Sequence, residues 1–330
     1  MTNWLAAGAG RTFLCMLTIQ EAELRGLVTP ADAVAAVERG FAQLARGEVV
    51  QPEPLNFAIP ALDGEIHVKG AYALGAEHIV LKLATGFWRN ADRGLPTGSG
   101  LMFVLEAATG FPHALLLDNG YLTDLRTGAA GAVAAKWLAR SSAHRVLLVG
   151  AGVQARFQLQ CLATVHRIES VTVWSRTHAA AQRLAAATSQ WCVRIADDLA
   201  AAVADSTLVI TVTPSHGPLI KADWIRPGTH ITAVGSDGPD KQELDVGVLA
   251  RADVLVADRL SQCARLGEIH HGMAAGVVDP AAVLELGDVI IGRHAGRTHE
   301  EQITVCDLTG VGAQDAAIAS LALERYRVAR

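Results

Sequence analysis

The sequence predicts an α/β protein: a Rossmann-type, doubly wound parallel-sheet domain set behind an α+β domain. Three observations carry that reading. The first is mid-chain, where Val146 to Val149 form a short apolar run followed by Gly150 and Gly152, with Ala155 completing a G-x-G-x-x-A spacing before a helical pattern. The second is a series of apolar, β-branched runs after it, at Ser170–Trp174, Thr207–Thr213, His230–Val234 and Asp253–Asp258, with helical stretches between them. The third is the late position of the glycine turn, which leaves about 125 residues of different texture in front of it. The expected division is residues 1–125 plus about 305–330 as a substrate-binding and dimerisation domain, and 126–304 as the nucleotide domain.

In chain order, Met1 to Gly10 hold an apolar patch with no basic region ahead of it, which does not read as a signal peptide. Thr29 then caps a helix that opens with Pro30 and carries Val34, Val37, Phe41 and Leu44 on one face until Gly47. Glu65 to Leu83 reads as short strands broken at Gly64, Gly70 and Gly75, and Gly86 to Gly100 as a long loop. Leu101–Leu105 and Ala114–Leu117 read as paired strands around a turn at Thr109–Pro112. A long helix from Asp124 to Arg140 leads into the nucleotide domain, and a strand and helix from Ile303 return to the first domain.

At the glycine turn, Gly150 permits a tight bend, Gly152 lets backbone approach a pyrophosphate, and small Ala155 lets helix and strand pack. Val153 and Gln154 open the helix whose free N–H groups would face the anion. The ribose-reading position at the end of the next strand offers Ser175, Arg176 and Thr177 in place of an acid, which favours NADP(H) over NAD(H). In the first domain, Lys82 and Arg126 are cations in apolar settings, and Lys69 is a weaker example. A substrate carboxylate would satisfy them, as would internal pairing of Arg126 with Asp118 or Asp124. Asp237, beyond a strand of the second sheet half, is placed for acid–base work, or else serves a Gly-Pro turn with Asp240.

Composition narrows the function. Apolar residues make up 51% and charged ones 18%, and the formal net charge is −5 with no basic block, which gives no reason to expect nucleic acid or an anionic membrane as partner. No apolar run reaches transmembrane length. Five scattered cysteines without pair spacing, Cys15 among them, suit reduced thiols in a cytoplasmic protein, mostly as small core residues. Glu268, His270 and His271 lie together without a zinc-ligand spacing, so no metal is expected and they read as helix-surface or interface residues.

The chain resembles the ornithine cyclodeaminase/μ-crystallin family. The resemblance rests on Lys82-Leu-Ala-Thr-Gly-Phe87, Gly94–Thr97, Leu122–Thr127, Gly150–Ala155, Thr211–Ser215, Gly235–Glu243 and Thr309–Asp315, in order from about residue 14 to the end. It implies an N-terminal substrate and dimerisation domain joined by the chain's end, a Rossmann domain between, and a homodimer. It also implies that Lys82 lies near the substrate carboxylate, that Arg126 binds it, and that Asp237 is the catalytic aspartate. Thr213 and Ser215 would sit in the loop beside the cofactor, with Val311 near the nicotinamide. Many members place an Arg where this chain reads Val50–Asn56, so either Lys69 substitutes or the substrate is held differently. Leu115–Arg126 is most similar to the branch of ectoine-utilisation cyclodeaminases and iminosuccinate reductases. The resemblance implies an NAD(P)H-dependent reductase of a small imino acid. The alternatives are a cyclodeaminase using bound NAD+ and a non-catalytic, NADP(H)-dependent binding protein.

Overall fold

The computed structural model describes residues 16–330, so the expectations for Met1–Gly10 and Cys15 lie outside the described residues. The first part of the chain builds one sheet. Its strands are β1 (Leu17–Gln20), β2 (Val49–Val50), β3 (Leu55–Ile59), β4 (Gly64–Ala73), β5 (His78–Phe87), β6 (Gly98–Glu106) and β7 (Pro112–Leu117). The order is β1-β7-β6-β5-β4-β2, with β3 also on β4, and every pair but β1–β7 is antiparallel. Helix α1 (Pro30–Ala45) starts as expected: the Thr29 hydroxyl accepts from the Asp32 N–H, and Val34, Val37, Phe41 and Leu44 are buried.

Two local expectations are corrected here. Gly70 does not break a strand but lies inside the ten-residue β4, where a Cβ would meet Leu81 Cδ2 at 2.6 Å. The stretch from Gly86 to Gly100 is not one loop: β5 runs to Phe87, β6 begins at Gly98, and a 3-10 turn over Trp88–Arg93 fills the gap.

Helix α2 (Tyr121–Leu138) begins three residues earlier than expected and is almost wholly enclosed. Glycine lets it approach its neighbour α3 (Val153–Leu162), since a Cβ at Gly128 would lie 2.6 Å from the Phe157 carbonyl oxygen. The second sheet contains β8 (Arg145–Val149), β9 (Ser170–Trp174), β10 (Val193–Ile195) and β11 (Leu208–Thr211). After a side strand, β12 (His216–Ile220), come β13 (His230–Ala233), β14 (Gln242–Leu244), β15 (Val254–Ala257), β16 (Leu284–Glu285) and β17 (Thr304–Asp307). The sheet is parallel throughout, in the order β10-β9-β8-β11-β13-β17-β15-β16, while β12 pairs with β14 apart from it. Its central strands are buried along their whole length, as parallel strands covered on both faces must be.

The boundary expected near residue 305 falls inside β17, which is inserted between β13 and β15. Of the stretch from 305 to 330, the final helix is the part that crosses back. Among the described residues, α4 (Gly267–Ala274) lies on the nucleotide side and α5 (Gly312–Val328) packs against α1, β4 and β5. One apolar core runs from Ile19 and Leu116 through α2 to Leu148 and Val173, so the two sheets share a single interior. A second core lies on the other face of the parallel sheet. Among the described residues, no helix is long and apolar enough to cross a membrane.

Candidate active site

A cleft of about 350 Å³ opens between the sheets, walled by β4, β5, the start of α2, the glycine turn, and the loops after β11, β13 and β17. Gly150 holds φ +114°, and a Cβ there would meet the Val212 carbonyl oxygen at 2.9 Å, so the turn requires glycine. Gly152 precedes α3 in extended conformation, and no atom lies within 4 Å of where its Cβ would be. That open space before free helix N–H groups is a fit for the pyrophosphate of a nicotinamide dinucleotide. Gly152, Val153 and Gln154 line the cleft, and Ala155 is buried behind them. Gln154 Nε2 donates to Asp124 Oδ1 at 2.7 Å, tying the turn to α2. At the end of β9, Ser175 is half-buried while Arg176 and Thr177 are exposed.

One wall of the cleft is basic. The two-residue period of β5 puts Lys82 on the inward face with His78 and Val80, and its register partner on β4 is Lys69. Like charges directly opposite on two strands repel. Arg126, in the first turns of α2, joins them. Its partner is neither Asp118 nor Asp124 but Asp315 on α5: Arg126 Nε lies 2.9 Å and Lys82 Nζ 3.3 Å from Asp315 Oδ1. Arg126 Nη1 also donates to Gln314 Oε1 at 2.8 Å. Lys69 Nζ donates to the carbonyls of Thr309 and Gly310. Lys82 and Asp315 are only 2% and 1% exposed. Burial, then the neighbouring Arg126, bring the Lys82 ammonium down to about 7. Burial raises Asp315, but Arg126 and the two lysines outweigh it and hold the carboxyl below its ordinary range.

The opposite wall is acidic. Asp237 Oδ1 accepts from Lys241 Nζ at 2.7 Å, Lys241 also donates to Glu65 at 2.9 Å, and its ammonium sits over the Trp88 ring. His67 bonds Asn56 and lies 3.5 Å from Glu65. Burial works against the Asp237 charge, but Lys241 and then His67 overcome it and hold the carboxyl at about 2. Its side chain remains 40% exposed to the cleft.

Lys69, Lys82, Arg126, Thr213 and Asp237 thus meet in one cleft with the glycine turn. Ser215 turns into its own loop, donating to the Gly217 carbonyl at 2.7 Å. Val311 is fully buried, and Leu308, Thr309 and Gly310 form the cleft wall there. Residues that pattern reasoning did not single out are Asp315, Lys241, Glu65, His67 and Glu243. Glu268 corrects an expectation: it is not on the surface but 0% exposed, and it accepts from the N–H groups of Glu243 and Leu244. Among the described residues, no group of three His, Cys, Asp or Glu is arranged to hold a metal ion.

Known proteins share this fold. A Rhizobium meliloti protein named as a dehydrogenase is 46% identical over 320 residues, covering 95% of this chain and 97% of its own. The iminosuccinate reductase of Paracoccus denitrificans is 36% identical, over 94% of this chain and 96% of that one. Among solved structures, the Δ1-pyrroline-2-carboxylate reductase of Thermococcus litoralis, in complex with NADH and L-proline, superposes with a TM-score of 0.91 at 30% identity. That match covers 95% of this chain and 98% of the other. Further relatives are an archaeal alanine dehydrogenase, a dimer with bound NAD, and cyclodeaminases. Residues 15–329 match the profile of the ornithine cyclodeaminase/mu-crystallin family, and with these relatives the chain belongs to that family.

Proposed function

We propose that the protein is an NAD(P)H-dependent reductase that converts the C=N bond of a small imino acid to an amino acid. The observation that carries this is the basic wall: Lys82 and Arg126 share one buried carboxylate, with buried Lys69 beside them, next to a dinucleotide cradle. Buried charge left without an opposite charge is costly, so the wall calls for an anionic ligand. Three cations on one wall could meet a second carboxylate as well as the first, which favours an imine of iminosuccinate type.

Arg126 would grip a carboxylate as a planar fork, with Lys82 and Lys69 as point charges. A bound nicotinamide supplies the hydride that the imine carbon takes up. The turn Gly150–Ala155 and Thr213 would hold that dinucleotide, and Ser175, Arg176 and Thr177 favour NADP(H) at its ribose. Because Lys241 keeps Asp237 ionised, Asp237 would act by accepting an N–H bond from a substrate that arrives as the iminium, stabilising its positive nitrogen. The expected proton donation from Asp237 therefore becomes electrostatic anchoring: the iminium takes a hydride on carbon and leaves as the amine.

The protein would work in the cytoplasm as a homodimer. The described cysteines Cys161, Cys192, Cys263 and Cys306 are free, and the sheet face away from Lys82 exposes Leu55, Phe57 and Leu81, an apolar surface suited to a second copy.

The test is nicotinamide absorbance with NADPH or NADH, ammonia and a panel of 2-oxo acids including oxaloacetate and pyruvate, together with pyrroline-carboxylates. Oxidation with the dicarboxylic imine is the expected result. A cyclodeaminase is the second reading, favoured by the ionised Asp237 and the nearby Glu65, which could receive a second ammonium group. It would need only catalytic nucleotide and show no net absorbance change. A binding protein without turnover would also leave the absorbance unchanged, but would form no product.

A further inference from the structure

Behind the acidic wall lies a series of buried carboxylates that substrate and nucleotide binding do not account for. Asp307, at the end of β17, accepts from the Ile269 N–H at 2.9 Å and so fixes the start of α4. Glu268, on α4, accepts from the Glu243 N–H at 2.7 Å and the Leu244 N–H at 3.0 Å, fixing β14. Glu243, on β14, accepts four bonds: from the Thr213 N–H and Oγ1 at 2.6 and 2.7 Å, from Thr211 Oγ1 at 2.7 Å, and from the Gly235 N–H at 2.8 Å. Each acid holds the backbone that carries the next, from the sheet centre to the rim of the cleft.

We propose that Glu243 is a positioning residue: it locks the ends of β11 and β13 together and thereby sets Thr213 against the nucleotide and Asp237 against the imine. The inference rests on the imine-reductase reading of the cleft. Four donors converge on two oxygens, which a carboxylate can accept and an amide cannot, because the amide replaces one acceptor by a donor. Gly235 gives separate support. A Cβ there would lie 2.1 Å from the Thr213 carbonyl oxygen and 2.7 Å from Glu243 Cδ, so the two strand ends are pressed onto this side chain. Burial, then the Glu243 charge, raise Glu268 to about 8, and burial raises Glu243 as well, against the bonds it accepts from Thr211, Thr213 and Gly235. Glu243 touches neither the basic wall nor its carboxylate ligand, so its effect is confined to one side of the site.

The experiment compares the full-length protein with Glu243→Gln and Thr211→Val, measuring nucleotide binding by fluorescence titration and turnover per bound nucleotide. Glu243→Gln should weaken nucleotide binding by roughly tenfold while the stoichiometry stays at its wild-type value. Turnover per occupied site should fall by a similar factor, with the imine KM changed by less than about threefold, because the carboxylate grip is untouched. A purely structural role would instead lower the stoichiometry and leave the Kd alone, and that result overturns the proposal. Thr211→Val removes one donor to Glu243 without lining the cleft, and remains readable if Glu243→Gln fails to fold. It should raise the nucleotide Kd by about two- to threefold, and an unchanged Kd there also overturns the proposal. A wild-type protein that binds neither NADPH nor NADH would sink the reductase reading itself, a result distinct from either variant outcome.

Discussion

The basic wall of the cleft and the carboxyls behind its acidic wall are both buried and are satisfied in opposite ways. Lys82 and Arg126 share Asp315, Arg126 also bonds Gln314, and Lys69 beside them bonds two loop carbonyls. Glu243, Glu268 and Asp307 have few cations near them, yet each is met by backbone N–H groups. A buried carboxyl held by rigid backbone donors fixes geometry, even though burial raises all three acids, Glu268 to about 8. A group of like charges sharing one counter-ion is incomplete, and a ligand finishes it. Clustered cations therefore mark where an anion binds, and carboxyls bound to backbone N–H groups mark what holds the site in shape.

The sharpest way to break that contrast is to remove the shared counter-ion. Asp315→Asn should lower stability by about 3–5 kcal/mol, because the buried Lys82 and Arg126 lose the carboxylate they share. Urea unfolding measures this, and added succinate should restore part of the loss by binding only the folded state. No loss of stability would mean that the basic wall is not short of negative charge. Next in size, Arg126→Ala should cut kcat/KM for the imine by about 100-fold, mostly through KM, since it removes a group that binds the carboxylate in ground and transition states alike. An unchanged KM would remove Arg126 from the grip.

Lys82 yields a pH test with a definite sign. Its pKa is lowered to about 7, first by burial and then by Arg126, so the free protein loses this charge as the pH rises through about 7. Succinate affinity should be flat below that pH and weaken by up to about tenfold per pH unit above it, as one proton is taken up with the ligand. Lys82→Arg stays charged and should flatten the profile. A wild-type profile that is level from pH 6 to 9 (roughly one unit below to two above that pKa) would assign the cationic charge elsewhere.

How much of this was legible beforehand depended on how far each feature reaches along the chain. The glycine turn, the strand runs of the parallel sheet and the Thr29-capped helix are local patterns, and they fold where the sequence places them. Lys82 and Arg126 were visible as cations in apolar runs, but their partner was not, because Asp315 lies more than 180 residues from Arg126 and reaches it only through α5. β17 was placed in the wrong domain for a related reason: its pattern says strand, while its neighbours β13 and β15 are set by topology. Gly70 read as a break because a strand glycine looks the same whether it ends pairing or admits a neighbouring side chain. Glu268 read as surface because an acid beside two histidines carries no sign of the backbone N–H groups that await it.

The smallest effect should come from Arg176, which extends the contrast to a third setting. Among the described residues it is a cation answered neither by a buried acid nor by backbone, and it is exposed at the end of β9. If it pairs with a ribose 2′-phosphate, it does so in high dielectric, where an exposed ion pair contributes up to about 1 kcal/mol. Arg176→Ser should therefore lower the NADPH-to-NADH ratio of kcat/KM by about fivefold, with kcat on NADH unchanged. Salt separates this site from the basic wall. Screening over a Debye length of about 8 Å should shrink the Arg176 effect as ionic strength rises, whereas the Arg126→Ala effect, set in a buried site, should persist. A cofactor ratio insensitive to both Arg176→Ser and salt would mean that Ser175 and Thr177, or no residue of this turn, choose the nucleotide.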